Sequence, residues 1–124
     1  MGATTPTRDL TYVEDTVRGF IAAGEAKSSK GEIINLGNNS EISIYNLVEL
    51  IAKLMDVKIT IEGDKNRKRP SKSEVDRLWA DNTKAKKILK WAPAYNLEDG
   101  LNKTIAWFKE GDHLKKYKSE IYNV

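Results

Sequence analysis

The chain has 124 residues, a formal net charge of +3, 40% hydrophobic and 31% charged residues, and no cysteine. That is the length and composition of one soluble, globular domain. There is no apolar run near the ~18 residues of a membrane span, no disulfide framework and no thiolate zinc site. The first six residues lack the basic and apolar blocks of a signal peptide, so the expected location is cytoplasmic, and the modest positive charge permits anion binding without pointing to nucleic acid.

Taken in order, residues 1–7 are polar and turn-like, and Leu10-Thr11-Tyr12-Val13 alternates as a short strand would. Glu14-Asp15-Thr16 offers carboxylates and a cap for a helix whose apolar face is Val13, Val17, Phe20 and Ile21. Gly24 to Gly31 reads as a polar loop. Glu32-Ile33-Ile34-Asn35-Leu36 is a strand pattern closed by the turn signal Gly37-Asn38-Asn39.

Ser43 is an N-cap for the clearest helix in the chain. Its apolar positions Ile44, Leu47, Val48, Ile51, Leu54 and Met55 follow the 3.6-residue period, and Asp56 ends it. Val57, Ile59 and Ile61 alternate with Lys58 and Thr60 as a second strand. Strand, helix and strand within about 30 residues predict a βαβ unit with parallel strands.

Further along, Leu78-Trp79-Ala80 has the composition of a short strand. Asp81 or Asn82 caps a helix through Ala85, Ile88 and Leu89, broken at Trp91-Ala92-Pro93. Asn96 and Asp99 form a capping pair for a last helix with Leu97, Leu101, Thr104, Ile105 and Phe108 on one face, stopped at Gly111. The expected fold class is therefore α/β, a small domain with a short parallel βαβ sheet and about four helices. Residues 1–112 form the domain and residues 113–124 a lysine-rich tail.

Function is best sought between the second strand and the third helix. Lys65 to Lys72 carries five basic side chains and no acid, with Pro70 stiffening the middle, and Glu74, Asp76 and Arg77 follow. Guanidinium groups grip phosphate oxygens, and a carboxylate accepts hydrogen bonds from hydroxyls such as those of a ribose. The bland alternative is a solvated charge run. Arg8, just ahead of a strand and a helix N-terminus, is a second anion candidate, or else the partner of a nearby acid.

The single histidine, His113, sits among lysines, so no metal cluster or Ser/His/Asp triad forms around it. The three tryptophans do not interleave with the basic run and read as core or domain-interface residues. The chain has no G-x-G-x-x-G or Walker loop, and no tyrosine is followed four residues later by lysine.

One resemblance joins these pieces. It is carried by Arg8-Asp9-Leu10-Thr11-Tyr12-Val13-x-Asp15-x-Val17 and Ile34-Asn35-Leu36-Gly37. Next come Arg69-Pro70-x-x-Ser73-Glu74-Val75-x-Arg77-Leu78-x-x-Asp81-x-x-Lys84-Ala85 and Leu89-x-Trp91-x-Pro93. Leu97-x-x-Gly100-Leu101-x-x-Thr104-Ile105-x-Trp107-Phe108 completes the set. In this order and spacing, over roughly residues 5 to 110, the chain resembles the C-terminal part of an extended short-chain dehydrogenase/reductase acting on nucleotide sugars. It is most similar to the NAD-dependent nucleotide-sugar 4,6-dehydratases.

The resemblance implies that Arg8 contacts a diphosphate oxygen or the nucleotide end, that Arg69 grips the diphosphate, that Glu74 accepts ribose hydroxyls, and that Arg77 is a further phosphate contact. Ser71-Lys72 is a two-residue insertion between Arg69-Pro70 and the Glu74 step. Asp81 and Asn96 match helix caps rather than site residues. In the intact family a Rossmann domain carries NAD and the Tyr-x-x-x-Lys pair, which let hydride pass between sugar C4 and the nicotinamide. None of those motifs is here, so this chain is expected to bind no cofactor or metal itself and to hold no catalytic residue. Its expected role is to bind a nucleotide diphosphate sugar, as a substrate-binding domain without its Rossmann domain, and to be inactive alone. The alternatives are a self-associating interaction module, a fragment of a 4-epimerase or decarboxylase, and, last, a basic nucleic-acid binder. Partners are a Rossmann domain or a second copy, with no membrane.

Overall fold

A computed structural model describes residues 1–64, 75–111 and 113–117. The order is β1 (Thr7–Arg8), α1 (Val13–Glu25), a 3₁₀ turn at Lys27–Ser29, β2 (Ile42–Ser43), α2 (Ile44–Met55), a π-helical turn at Ala85–Leu89, α3 (Leu97–Lys109) and a 3₁₀ turn at His113–Lys116. The expected α/β class and number of helices hold. The expected parallel sheet does not.

The sheet has two strands, β1 and β2, and they are antiparallel, with Thr7 opposite Ser43 and Arg8 opposite Ile42. Neither 32–36 nor 57–61 lies in a strand. Alternation reports a surface fit to be half buried, but a strand also needs a ladder partner. Among the described residues neither stretch has one, and Val57 and Ile59 stay 47% and 41% exposed. Leu10-Thr11-Tyr12-Val13 is not a strand either. Tyr12 is the extended N-cap of α1, with ψ at 143°, and the helix begins at Val13.

The helix signals read from sequence hold at α2 and α3. Ser43 Oγ accepts from Asn46 N at 3.1 Å, and Asp56 closes α2 in the left-handed region with φ 54°. Asn96 Oδ1 accepts from Asp99 N at 2.8 Å at the start of α3, and Asp81 Oδ1 accepts from Thr83 N at 2.9 Å. Each satisfies an orphan N–H of a first turn. The start of the tail packs back: the His113 ring stacks on Trp107, centroids 4.0 Å apart, and Tyr117 meets Phe108 edge-on. Residues 118–124 lie outside the described residues.

The core sits on the other side of α1 from the one its large residues suggest. Ala85, Leu89 and Trp91 form the buried cluster, and Ala22, Ala23, Ala26, Ile34, Leu36 and Ile88 pack on it. Small residues on α1 allow this close approach, and a Cβ at Gly19 would stand 2.5 Å from Leu36 Cδ1. Of the three tryptophans only Trp91 is core, 3% exposed, its indole N–H donating to the Asp15 carbonyl at 3.0 Å. Trp79 and Trp107 are half exposed.

Asp15 does not cap α1. It is fully buried, and its carboxylate receives the N–H groups of Ala94 at 2.9 Å and Tyr95 at 3.0 Å, with Arg18 at 2.5 Å. It thereby ties the segment before α3 to the first turn of α1. Among the described residues no helix is long and apolar enough to cross a membrane.

Candidate functional site

Of the candidate residues, Arg8 and Arg77 lie where β1 meets the segment 75–78 that follows the basic stretch in sequence. Thr7 N donates to Asp76 O at 2.8 Å and Leu78 N donates to Thr7 O at 3.1 Å, a parallel bridge that pairs Thr7 with Arg77. β2 lies on the other edge of β1. Three remote stretches of sequence, near 7, 42 and 77, are therefore laid side by side.

Arg8 extends from β1 toward Val75. Its Nη1 donates to Thr7 O at 2.7 Å and to Val75 O at 2.8 Å. Val75 directly follows Glu74 in sequence, so the cation is held one residue from the acidic step that the sequence singles out. Arg69 and Glu74 themselves, with the rest of 65–74, lie outside the described residues.

Arg77 is engaged by a residue that sequence reading passed over. Its Nε and Nη2 donate to Glu41 Oε2 at 2.8 Å and Oε1 at 2.6 Å, a bidentate pair. Thr7 Oγ1 donates to the same carboxylate at 2.7 Å, and the guanidinium lies 4.5 Å from the centre of the Trp79 ring. The hydrogen bonds from Arg77 and then from Thr7 hold the Glu41 carboxyl below the usual carboxylate range. The Glu41 hydrogen bond in turn raises the Arg77 guanidinium. In this arrangement Arg77 neutralises Glu41 and fastens its own segment to the start of β2, with Thr7 of β1 bonded to the same carboxylate. No spacing in the sequence announces Glu41, because the pairing crosses 36 residues.

Asp9 fixes the opposite side of the site. Its Oδ1 accepts from Asn38 N at 2.9 Å, and its Oδ2 accepts from Asn39 N at 3.0 Å and Ala80 N at 3.2 Å. The turn at 37–39 and the segment at 80 are so close that a Cβ at Gly37 would come within 2.4 Å of Ala80 Cβ. Asn82 Nδ2 closes the same corner by donating to Gly37 O at 2.9 Å. Elsewhere, an apolar groove of about 330 Å³ runs between α2 and α3, past Ile51, Leu101, Ile105, Phe108 and Leu114. Its lining suits apolar atoms, not a diphosphate. Among the described residues no cluster of three or more His, Cys, Asp or Glu could hold a metal ion.

A family model described as GDP-mannose 4,6 dehydratase matches residues 1–104. The chain belongs to the NAD-dependent nucleotide-sugar epimerase/dehydratase family of extended short-chain dehydrogenases. Within that family it is 40% identical over 116 residues to a UDP-glucuronate 4-epimerase of Thermodesulfobacterium geofontis, covering 93% of this chain and 34% of the relative. It is 36% identical over 113 residues to UDP-glucuronic acid decarboxylase 1 of Xenopus tropicalis, covering 90% and 25%.

Among solved structures, the UDP-glucuronic acid 4-epimerase of Bacillus cereus in complex with UDP-glucuronic acid and NAD superposes with a TM-score of 0.78. The two are 33% identical, over 89% of this chain and 34% of that one. The chain thus spans about a third of the length of the first relative it matches. Epimerase names dominate among these family members, so the finer 4,6-dehydratase reading is not carried by them.

Proposed function

We propose that this chain is the nucleotide-sugar-binding portion of a cytoplasmic, NAD-dependent nucleotide-sugar epimerase or dehydratase, and that it performs no catalysis alone. The observation that carries the reading is the Arg8–Val75 contact. It draws a cation from the start of the chain to the residue that follows Glu74 in sequence. Arg8 and Arg69 hold the diphosphate through charge-assisted hydrogen bonds, and Glu74 accepts the ribose hydroxyls. Arg77 serves the site indirectly, by fixing the segment 75–78 against Glu41. Holding the nucleotide far from the reacting sugar orients that sugar for chemistry done elsewhere.

The residues of this chain do not fit NAD, since it has neither a glycine-rich dinucleotide loop nor a tyrosine followed four residues later by lysine. In this reading the cofactor belongs to sequence outside the chain. The names of the relatives favour a UDP-sugar with an oxidised C6 over a GDP-sugar, and epimerisation or decarboxylation over 4,6-dehydration. The description of the matching family model favours the 4,6-dehydratase alternative.

A ligand-observed NMR panel of UDP-, GDP-, CDP- and dTDP-sugars against the purified chain tests the proposal. Saturation transfer to nucleotide protons is expected, strongest for UDP-glucuronic acid, with no turnover on addition of NAD. Turnover, or no transfer from any member of the panel, overturns it.

A further inference from the structure

The groove between α2 and α3 takes no part in the nucleotide reading. It has a volume of about 330 Å³ and is lined by Ile51 and Met55 of α2, by Leu101, Ile105 and Phe108 of α3, and by Leu114. No polar atom faces it. The Thr104 hydroxyl, on the same wall, donates to Gly100 O at 2.8 Å instead. A small-molecule site carries a few placed polar groups that orient its ligand, and this lining has none to offer. Apolar space of about 150 Å³ already admits a benzene, so the groove has room for more than one aliphatic side chain. Met55 and Leu114 are left 39% and 61% exposed beside it.

The chain itself carries a segment of matching pattern. Leu114, Tyr117, Ile121 and Val124 recur at i, i+3, i+7 and i+10, the apolar stripe of a helix. Lys118, Ser119, Glu120, Tyr122 and Asn123 fall between them. The first two members of the stripe already sit at the groove. Gly111, with φ 59°, turns the chain back after α3. Leu114 then lines the groove, and Tyr117 meets Phe108 edge-on with ring centroids 5.4 Å apart. Tyr117 N donates to Leu114 O at 3.1 Å, so the backbone is wound as a helical turn up to the last described residue. As a helix, residues 118–124 would extend about 10 Å, the distance α3 covers from Leu101 to Phe108.

We propose that residues 118–124 prolong the turn at His113–Lys116 as a helix, which seats Ile121 and Val124 in the groove and makes the tail a further layer of the domain. The occupant is tethered at the edge of its own site, so it meets the groove at a far higher effective concentration than a free apolar partner does. The matching family model ends at residue 104, so the stripe lies beyond the part this chain shares with that model. The inference does not depend on what the chain binds.

The test is NMR of the full chain with labelled Ile, Leu and Val methyl groups. Nuclear Overhauser contacts are expected from the Ile121 and Val124 methyls to those of Ile51, Leu101 and Ile105. In a mixture of differently labelled copies they are expected to remain within one chain. Ile121→Asp is expected to lower the melting temperature by roughly 5 °C or more and to raise the fluorescence of an added apolar dye. Deleting residues 118–124 gives the same two changes. Ser119→Asp, on the opposite side of the stripe, gives neither.

The inference is overturned if the parent shows no contacts from Ile121 and Val124 to the groove. It is overturned equally if those contacts run between two copies, which would make the groove a dimer interface. A groove filled by a bound apolar molecule, seen by native mass spectrometry, with the tail methyls remote from it, overturns it in favour of a ligand. So does a deleted chain that melts within about 1 °C of the parent and binds no more dye.

Discussion

Replacing Asp15 by asparagine changes one atom of a fully buried side chain and should be among the most damaging single substitutions in this chain. The two carboxylate oxygens divide the work: Oδ1 accepts from Ala94 N and Arg18, and Oδ2 accepts from Tyr95 N. An asparagine can place its oxygen at only one of these positions. Its NH₂ then faces a backbone N–H, donor against donor. A buried donor left unsatisfied costs about 1–3 kcal/mol, and the surviving bond loses its charge assistance, roughly another 1 kcal/mol.

Together these give a loss of about 2–4 kcal/mol, a large share of the ~5–15 kcal/mol that holds a domain folded. At about 3–5 °C per kcal/mol for a chain of this length, the midpoint falls by roughly 6–20 °C. Asp15→Ala loses both acceptors and should fall at least as far. Urea and thermal unfolding followed by circular dichroism measure both. If Asp15→Asn unfolds within about 0.5 kcal/mol of the parent, the carboxylate is not the tie between α1 and the segment before α3.

Two further outcomes follow from the site. Gly37→Ala puts a methyl 2.4 Å from Ala80 Cβ and 3.0 Å from Asp9 Oδ2. The turn must move, and a loss of about 1–3 kcal/mol is expected in the same unfolding assay. Because Arg77 and Thr7 hold Glu41 below its usual value of 4.5, that pair stabilises the fold above pH 4.5 and loses its contribution as pH falls through the lowered value. Glu41→Gln should therefore melt below the parent at pH 6–7, with the gap closing as the pH drops below the usual carboxylate value. A gap that persists unchanged at pH 3 would show that the pair is not what differs.

How much of this was legible in the sequence depends on the range of each interaction. Ser43, Asp81 and Asn96 act on N–H groups two or three residues away, so their spacing alone revealed them. α2 presents one apolar face to the domain, and its period was plain. α1 has two apolar faces, and the larger side chains pointed to the wrong one as the core side. Alternation at 32–36 predicted a strand; Ile34 and Leu36 do pack on the core, but among the described residues the segment has no ladder partner.

Arg8 was legible as a cation near the site through the Arg-Asp step. The partner of Arg77 was not, since Glu41 reaches it across the sheet and no local pattern encodes that pairing. Asp9 and Asp15 were visible only as members of a motif. Their work, binding backbone N–H groups 29 to 80 residues away, is a property of the folded chain.

The most direct test of the central claim is a calorimetric titration of the full chain with UDP-glucuronic acid, for the parent and for Arg8→Ala, Arg69→Ala and Glu74→Ala. The account predicts that the parent binds with an affinity that falls with salt. Each arginine substitution should weaken it about tenfold or more, with Glu74→Ala losing affinity for the ribose-containing ligands but not for inorganic diphosphate. Equal affinity in the parent and in both arginine variants would contradict it.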